Sequence, residues 1–212
     1  MKLRGCQAGL SQHELLASSQ VFEGKDIHNG QLVAAKKAAD NRVEREIKAY
    51  QLLESLTHGR PCKYVATMVG HDLYHDGQWM LVVSPPGKTS PANKSFLQCQ
   101  VWGQPERENQ LAFEAAKGLD ELHSLGMVHR DFKPGNLILR GDGHVKIIDL
   151  DTATNTLPDS FATTIRVGTS PYMAPEVSHI QGLKYAAKQA DLWAFGVVML
   201  WLMNKLAWFQ EL

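Results

Sequence analysis

No stretch of this chain is long and apolar enough to span a bilayer. The longest apolar run, Leu192 to Met203, falls short of the ~20 residues a spanning helix needs and reads as a buried helix. Lys2 and Arg4 have no apolar core behind them, so no secretory signal peptide is expected. An excess of one charge is also lacking: 22 Lys and Arg face 22 Asp and Glu. That removes the global field that would draw nucleic acid or an anionic membrane, and neither is expected as a partner. Cysteine is scarce, with only Cys6, Cys62 and Cys99, widely spaced and odd in number. They match no metal spacing and point to a reducing compartment, cytoplasm or nucleus. There are no internal repeats and no low-complexity segment. The 212 residues suffice for one domain or two small lobes with a sizeable core.

What the chain does have is a dense polar stretch, His129-Arg130-Asp131-Phe132-Lys133-Pro134-Gly135-Asn136. Two apolar runs follow, Leu137-Ile138-Leu139 and Val145-Lys146-Ile147-Ile148, with Gly141-Asp142-Gly143 between them. This is a hairpin signal. The second run leads into Asp149-Leu150-Asp151, so Asp131, Asn136 and Asp149 converge at one end of the hairpin. Two carboxylates and an amide oxygen there suit a magnesium ion carrying phosphates.

Before this stretch, Val21–Lys25 and Gln31–Lys36 read as strands joined at His28-Asn29-Gly30. Residues 64–83 hold two more strand candidates around His75-Asp76-Gly77, and Ser84-Pro85-Pro86-Gly87 breaks the second. Ile47, Tyr50 and Leu53-Glu54 recur at helical steps on one face. Glu108 to Leu125 reads as an amphipathic helix, with Leu111, Ala115, Gly118, Leu119 and Leu122 as its apolar stripe. It ends at Ser124-Leu125-Gly126.

The string His-Arg-Asp-x-Lys-Pro-x-Asn, an Asp-led tripeptide, and Gly168-Thr169-Ser170-Pro171-Tyr172-Met173-Ala174-Pro175-Glu176 follow in that order. Together they resemble a eukaryotic protein kinase of the serine/threonine type. The resemblance covers about residues 20–205. It implies an α+β, two-lobed protein kinase-like fold over residues 1–212. The small β-rich lobe would run to about residue 83, a hinge over 84–87, and a mainly helical large lobe from 88. Asp191-Leu192-Trp193-Ala194-Phe195-Gly196 resembles the start of that lobe's central helix, and the large lobe is expected to be cut short soon after it.

The implied activity is transfer of the ATP γ-phosphate to a serine or threonine of a protein substrate, with ATP and Mg2+ as cofactors. Asp131 takes the place of the catalytic base and Lys133 that of the residue offsetting γ-phosphate charge. Asn136 and Asp149 take the places of magnesium ligands. Lys36 stands where the family has its phosphate lysine, and Glu46, in Arg45-Glu46-Ile47, where it has the glutamate partner. Lys37 and Glu44 are rivals. Strand alternation points Lys37 to the opposite face, and Glu44 faces elsewhere at about 100° per residue. Val21, Ala34 and Ile138 take nucleotide-contacting places. His129 would pack below Leu150 without proton chemistry, and Arg130 would pair with a phosphate on the loop that follows. Thr163, Thr164 and Thr169 belong to that activation loop, the first two as phosphorylation sites.

Three features depart from the family. Aligning Val21 with the valine of its glycine-rich loop puts Glu14, Leu16 and Ser19 where glycines belong. Asp151 replaces the glycine of Asp-Phe-Gly, a position where the left-handed backbone would be less accessible. The early end leaves Trp201, Trp208 and Phe209 short of cover, which a partner chain would supply. A pseudokinase or nucleotide-binding scaffold without turnover is the rival class, and a small-molecule phosphotransferase the third.

Overall fold

The structure is a computed structural model and describes residues 19–26, 30, 32–38, 41–73, 77–84, 88–89, 104–140, 142–156, 161–162, 167–179 and 185–202. Its N-terminal region is β-rich. Strands β1 (Ser19–Lys25), β2 (Leu32–Ala38), β3 (Thr67–Leu73) and β4 (Trp79–Ser84) form one antiparallel sheet in the order β1-β2-β4-β3. Gly30 (φ 70°) and Gly77 (φ 78°) supply left-handed backbone between the paired strands. The register fixes which side chains share a face. Val21 lies opposite Lys36, Ala34 opposite Val83, and Lys36 opposite Leu81. Opposed residues in an antiparallel pair point the same way. One face therefore carries Val21, Ala34, Lys36, Leu81 and Val83. Lys37, opposite Gln20 and Met80, belongs to the other.

Helix α1 (Arg42–Leu56) packs on this sheet through Val43, Glu46, Ile47, Tyr50 and Leu53. These positions fall three and four apart, the spacing of one helical face. Glu54, expected beside Leu53, is exposed instead. The helix stops at Thr57, where His58 (φ 53°) and Gly59 (φ 74°) turn left-handed and Gly59 N donates to the Glu54 carbonyl at 2.8 Å.

The C-terminal part is mainly helical. Strand β5 (Lys88–Thr89) precedes helix α2 (Pro105–Ser124), which begins three residues before the expected Glu108. Proline is cheap in the first turn, because its missing N–H would have no helical partner there. The buried stripe of α2 includes the expected Leu111, Ala115, Gly118, Leu119 and Leu122, and adds Glu114. After β6 (Met127–Val128), the polar stretch runs into a short 3-10 turn at Pro134–Asn136. The hairpin follows as β7 (Leu137–Leu139) and β8 (Val145–Ile147), with Leu137 opposite Ile147. Gly118 lets α2 approach β8 closely: a Cβ there would stand 2.7 Å from Ile147 Cδ1 and 3.0 Å from the Tyr64 carbonyl oxygen. Strands β9 (Thr154–Asn155) and β10 (Phe161–Ala162) pair with β6 and with β11 (Tyr185–Ala186). Helices α3 (Pro175–His179) and α4 (Ala187–Leu202) complete the described chain.

One core runs from α1 and the sheet through Val65, Leu119, Leu137 and Ile147 to Val198 and Leu202 of α4. Each large apolar side chain buried there contributes about 1.5–3 kcal/mol. Two expectations fail in α4. The helix is two-faced, not wholly buried: Leu192, Trp193 and Leu200 are exposed while Asp191, Ala194 and Val198 are buried. Trp201, expected to lack cover, is buried in this core, because it falls on the inward face with Val198 and Leu202. Trp208 and Phe209 lie outside the described residues.

Candidate active site

The polar stretch is fastened from below by a buried carboxylate. Asp191, at the start of α4, is 1% exposed. Its Oδ2 accepts from the His129 backbone N–H at 2.8 Å, and its Oδ1 from that of Arg130 at 2.8 Å. His123 Nε2 lies 2.9 Å from the same Oδ2. A carboxylate with several partners can stay buried, and here it fixes consecutive amides of one turn. Arg130 sits at φ 65°, a left-handed conformation that the two flanking bonds hold in place. His129 is fully buried, its Nε2 is 3.0 Å from the Ile148 carbonyl, and its ring meets Phe132 edge-on. It sits in a packed interior with Leu150, also fully buried.

With the turn fixed, Asp131, Lys133 and Thr169 close on one another. Lys133 Nζ donates to Asp131 Oδ2 at 2.6 Å and to Thr169 Oγ1 at 2.9 Å. The Thr169 hydroxyl donates to Asp131 Oδ1 at 2.8 Å. A carboxylate that accepts a hydroxyl proton, with an ammonium beside both, is a geometry suited to activating a hydroxyl nucleophile. The Asn136 Nδ2 amide donates to the Asp131 carbonyl at 2.8 Å, and Ile148 N donates to the Asn136 carbonyl at 2.9 Å. The second of these bonds ties the 129–136 turn to the approach to Asp149.

Across from this turn, three segments meet through side chains. Lys36 Nζ of β2 donates to Glu46 Oε2 of α1 at 2.9 Å and to Asp149 Oδ1 at 2.6 Å. Glu46 is chosen over Glu44 by burial on the α1 stripe, and Lys36 over Lys37 by the sheet register. Burial pushes the Glu46 carboxyl up to about 7, with Lys36 pulling the other way. Burial alone would raise Asp149 too, but the Lys36 ammonium outweighs it and holds the carboxyl below its ordinary value. Burial would lower Lys36, and the two carboxylates overcome that and raise it. Asp149 takes a left-handed φ of 67°. The left-handed residue of the Asp149-Leu150-Asp151 turn is thus the first, not the third, and Asp151 needs no glycine-like freedom. Its carboxylate instead faces Arg45 of α1, Oδ2 to Nη2 at 3.7 Å.

The donor set fits a hard divalent cation. With Asn136 Nδ2 committed to Asp131, the amide oxygen is turned away as an acceptor, and Asp149 keeps Oδ2 beyond its bond to Lys36. Among the described residues, no cluster of three or more His, Cys, Asp or Glu could hold a metal alone. Two protein oxygens suit magnesium that takes its remaining ligands from phosphates and water. Of the residues expected to contact nucleotide, Ala34 and Val21 share the Lys36 face, Val21 being exposed, and Ile138 is buried in β7. Arg130, expected to meet a phosphate, has Nε on the Thr152 carbonyl at 2.7 Å. Thr163 and Thr164 lie outside the described residues, as do Glu14 and Leu16.

Asp191 and Thr169 are the residues whose placement the sequence alone did not give. Asp191 carried a signal, a charged residue inside an otherwise apolar helix, which demands buried partners. Thr169 reads from the sequence as part of the loop, and the fold brings its hydroxyl onto Asp131.

Comparison with known proteins agrees with this layout. The chain is 27% identical over 199 residues to MAP3K epsilon protein kinase 2 of Arabidopsis thaliana, covering 89% of this chain and 14% of that protein. It is 29% identical over 205 residues to the interferon-induced, double-stranded RNA-activated protein kinase of Rattus norvegicus, covering 87% and 38%. Over a shorter stretch of 86 residues it is 42% identical to human ribosomal protein S6 kinase alpha-1, covering 41% and 11%. The chain therefore spans well under half the length of each of these relatives. The family model described as protein kinase domain matches residues 17–212, and the chain belongs to that family.

Proposed function

We propose that this chain is a magnesium-dependent serine/threonine protein kinase that transfers the γ-phosphoryl group of ATP to a protein hydroxyl. The observation that carries the reading is the Thr169 hydroxyl, bonded to Asp131 and flanked by Lys133. A hydroxyl already rests where an attacking hydroxyl would be oriented, and a substrate serine or threonine would take over the Asp131 carboxylate. Asp131 accepts the hydroxyl proton as the hydroxyl oxygen forms its bond to the γ-phosphorus, the bond from that phosphorus to the β–γ bridging oxygen breaks and ADP leaves, while Lys133 offsets charge on the transferred group. Lys36, held by Glu46, meets the nucleotide phosphates, and Val21, Ala34 and Ile138 contact the nucleoside. Asn136 and Asp149 would hold magnesium, which would supply positive charge to offset that of the phosphates. The small lobe to about residue 83 and the large lobe from 88 would flank the nucleotide, and residues 85–87 of the expected hinge 84–87 lie outside the described residues.

A second reading, nucleotide binding without turnover, is favoured by one observation: Glu14, Leu16 and Ser19 stand where close backbone approach to phosphates calls for glycine. The test is magnesium-dependent ATP turnover by the purified chain, with a generic basic protein as acceptor and phosphoamino-acid analysis of the product. The kinase reading expects phosphoserine or phosphothreonine, and a roughly 10²–10⁴-fold lower kcat in Asp131→Asn, the range for a lost acid–base group. ATP binding with no transfer would leave the second reading standing in its place.

A further inference from the structure

Two separate charge contacts join α1 to the Asp149–Asp151 turn. One passes through Lys36, which bridges Glu46 and Asp149. The other is direct, Arg45 Nη2 to Asp151 Oδ2 at 3.7 Å. Arg45 and Glu46 are neighbours on α1, and Asp149 and Asp151 flank the fully buried Leu150. The direct contact is thus a second tie beside the first. The Asp151 side chain is only 12% exposed and that of Arg45 48% exposed. At 3.7 Å the contact is Coulombic and not a hydrogen bond. Arg45 is anchored at its other nitrogen, with Nη1 donating to Asn41 Oδ1 at 2.5 Å and its backbone N–H to the Asn41 carbonyl at 3.0 Å. The guanidinium is thereby held at the first turn of α1, on the side facing the Asp149–Asp151 turn. The backbone at Asp151 is not left-handed, so a side chain fits there without strain.

We propose that Asp151 and Arg45 form a latch that positions α1 against the Asp149 turn and keeps Glu46 within reach of Lys36. Asp151 is a positioning residue in this role. It acts through α1 and touches neither nucleotide nor substrate. The latch works in parallel with the Lys36 bridge, so either contact alone restrains α1 and loss of both releases it. Its effect on turnover rests on the kinase reading, whereas its effect on α1 does not.

The experiment is hydrogen exchange of α1 amides in the whole protein, comparing wild type, Asp151→Asn, Arg45→Gln, the double variant and Arg45→Lys. Each neutralising single variant should speed α1 exchange about threefold, in keeping with a half-exposed ion pair. The double variant should go no faster than either single one, Arg45→Lys should retain most of the protection, and α2 amides should not change. High salt should bring wild type to the level of the variants. In a Lys36→Met background, Asp151→Asn should have the larger effect. Additive single effects, equal acceleration in α2, or no change in α1 would each overturn the latch. If α1 responds as expected and wild type shows no phosphate transfer, the latch stands and the kinase reading falls. If transfer occurs and α1 does not respond, the latch falls alone.

Discussion

The two sides of the site are held by different means. The 129–136 turn is held through its backbone: Asp191 takes the amides of His129 and Arg130, and the Asn136 carbonyl takes the amide of Ile148. The Lys36 side is held through side chains, by Lys36 on Glu46 and Asp149 and by Arg45 on Asp151. Backbone bonds to a buried carboxylate open only when the surrounding core opens. Long side chains carry rotamer entropy and can part without unfolding anything. The Asp131 end of the site is thus built into the fold, while the Lys36 end rests on side-chain contacts.

Breaking the fixed side should cost the most. Asp191→Ala strands one buried and one part-buried backbone donor, at about 1–3 kcal/mol for the buried one. The expected outcome is a large drop in the denaturation midpoint with an unchanged denaturant slope, and turnover lost together with the fold. A stable Asp191→Ala protein that has lost only activity would mean the turn is not built into the fold in this way.

A smaller loss is expected where the two sides join. Residues 60–66 follow α1 and are gripped by α2 and β8: Glu121 accepts the amides of Lys63 and Tyr64, both at 2.9 Å, and Lys146 Nζ donates to the carbonyls of Cys62 and Val65. Gly118 permits that approach. Gly118→Ala should destabilise by about 1–3 kcal/mol through overpacking against Ile147 and the Tyr64 carbonyl, read from chemical denaturation. An unchanged midpoint would show that this junction yields more readily than its contacts imply.

The gentlest perturbation is pH. Burial pushes Glu46 up to about 7, so acidification through that value neutralises it and removes its charge from Lys36. The expected kcat/KM for ATP falls as pH drops through about 7, and Glu46→Gln lacks that limb. Stability should run the other way. The folded value lies above the ordinary 4.5, so this group's contribution is fully present below about 4.5 and lost as pH rises through about 7. Parallel pH profiles in wild type and Glu46→Gln would remove Glu46 as their source.

Much of this site was legible because its signals are local. Alternation in β2 separates Lys36 from Lys37, helical spacing in α1 separates Glu46 from Glu44, and the β7–β8 hairpin brings Asn136 and Asp149 to one end. The misses are long-range. Nothing near Asp191 in sequence names the amides it serves, which lie more than 60 positions away. Thr169 reaches Asp131 only through the path of the loop, and Asp151 reads as a defect in a glycine position until Arg45 is seen beside it. The burial of Trp201 depended on which face of α4 turns inward, which an apolar helix does not declare.

The proposed division between a chemical end at Asp131 and a phosphate-holding end at Lys36 and Asp149 has a direct measurement: titration of magnesium-ATP into wild type, Asp131→Asn and Asp149→Ala. On this division, Asp131→Asn should bind like wild type while turning over far more slowly, and binding to Asp149→Ala should lose its dependence on magnesium. Equal loss of ATP affinity in the two variants would contradict it.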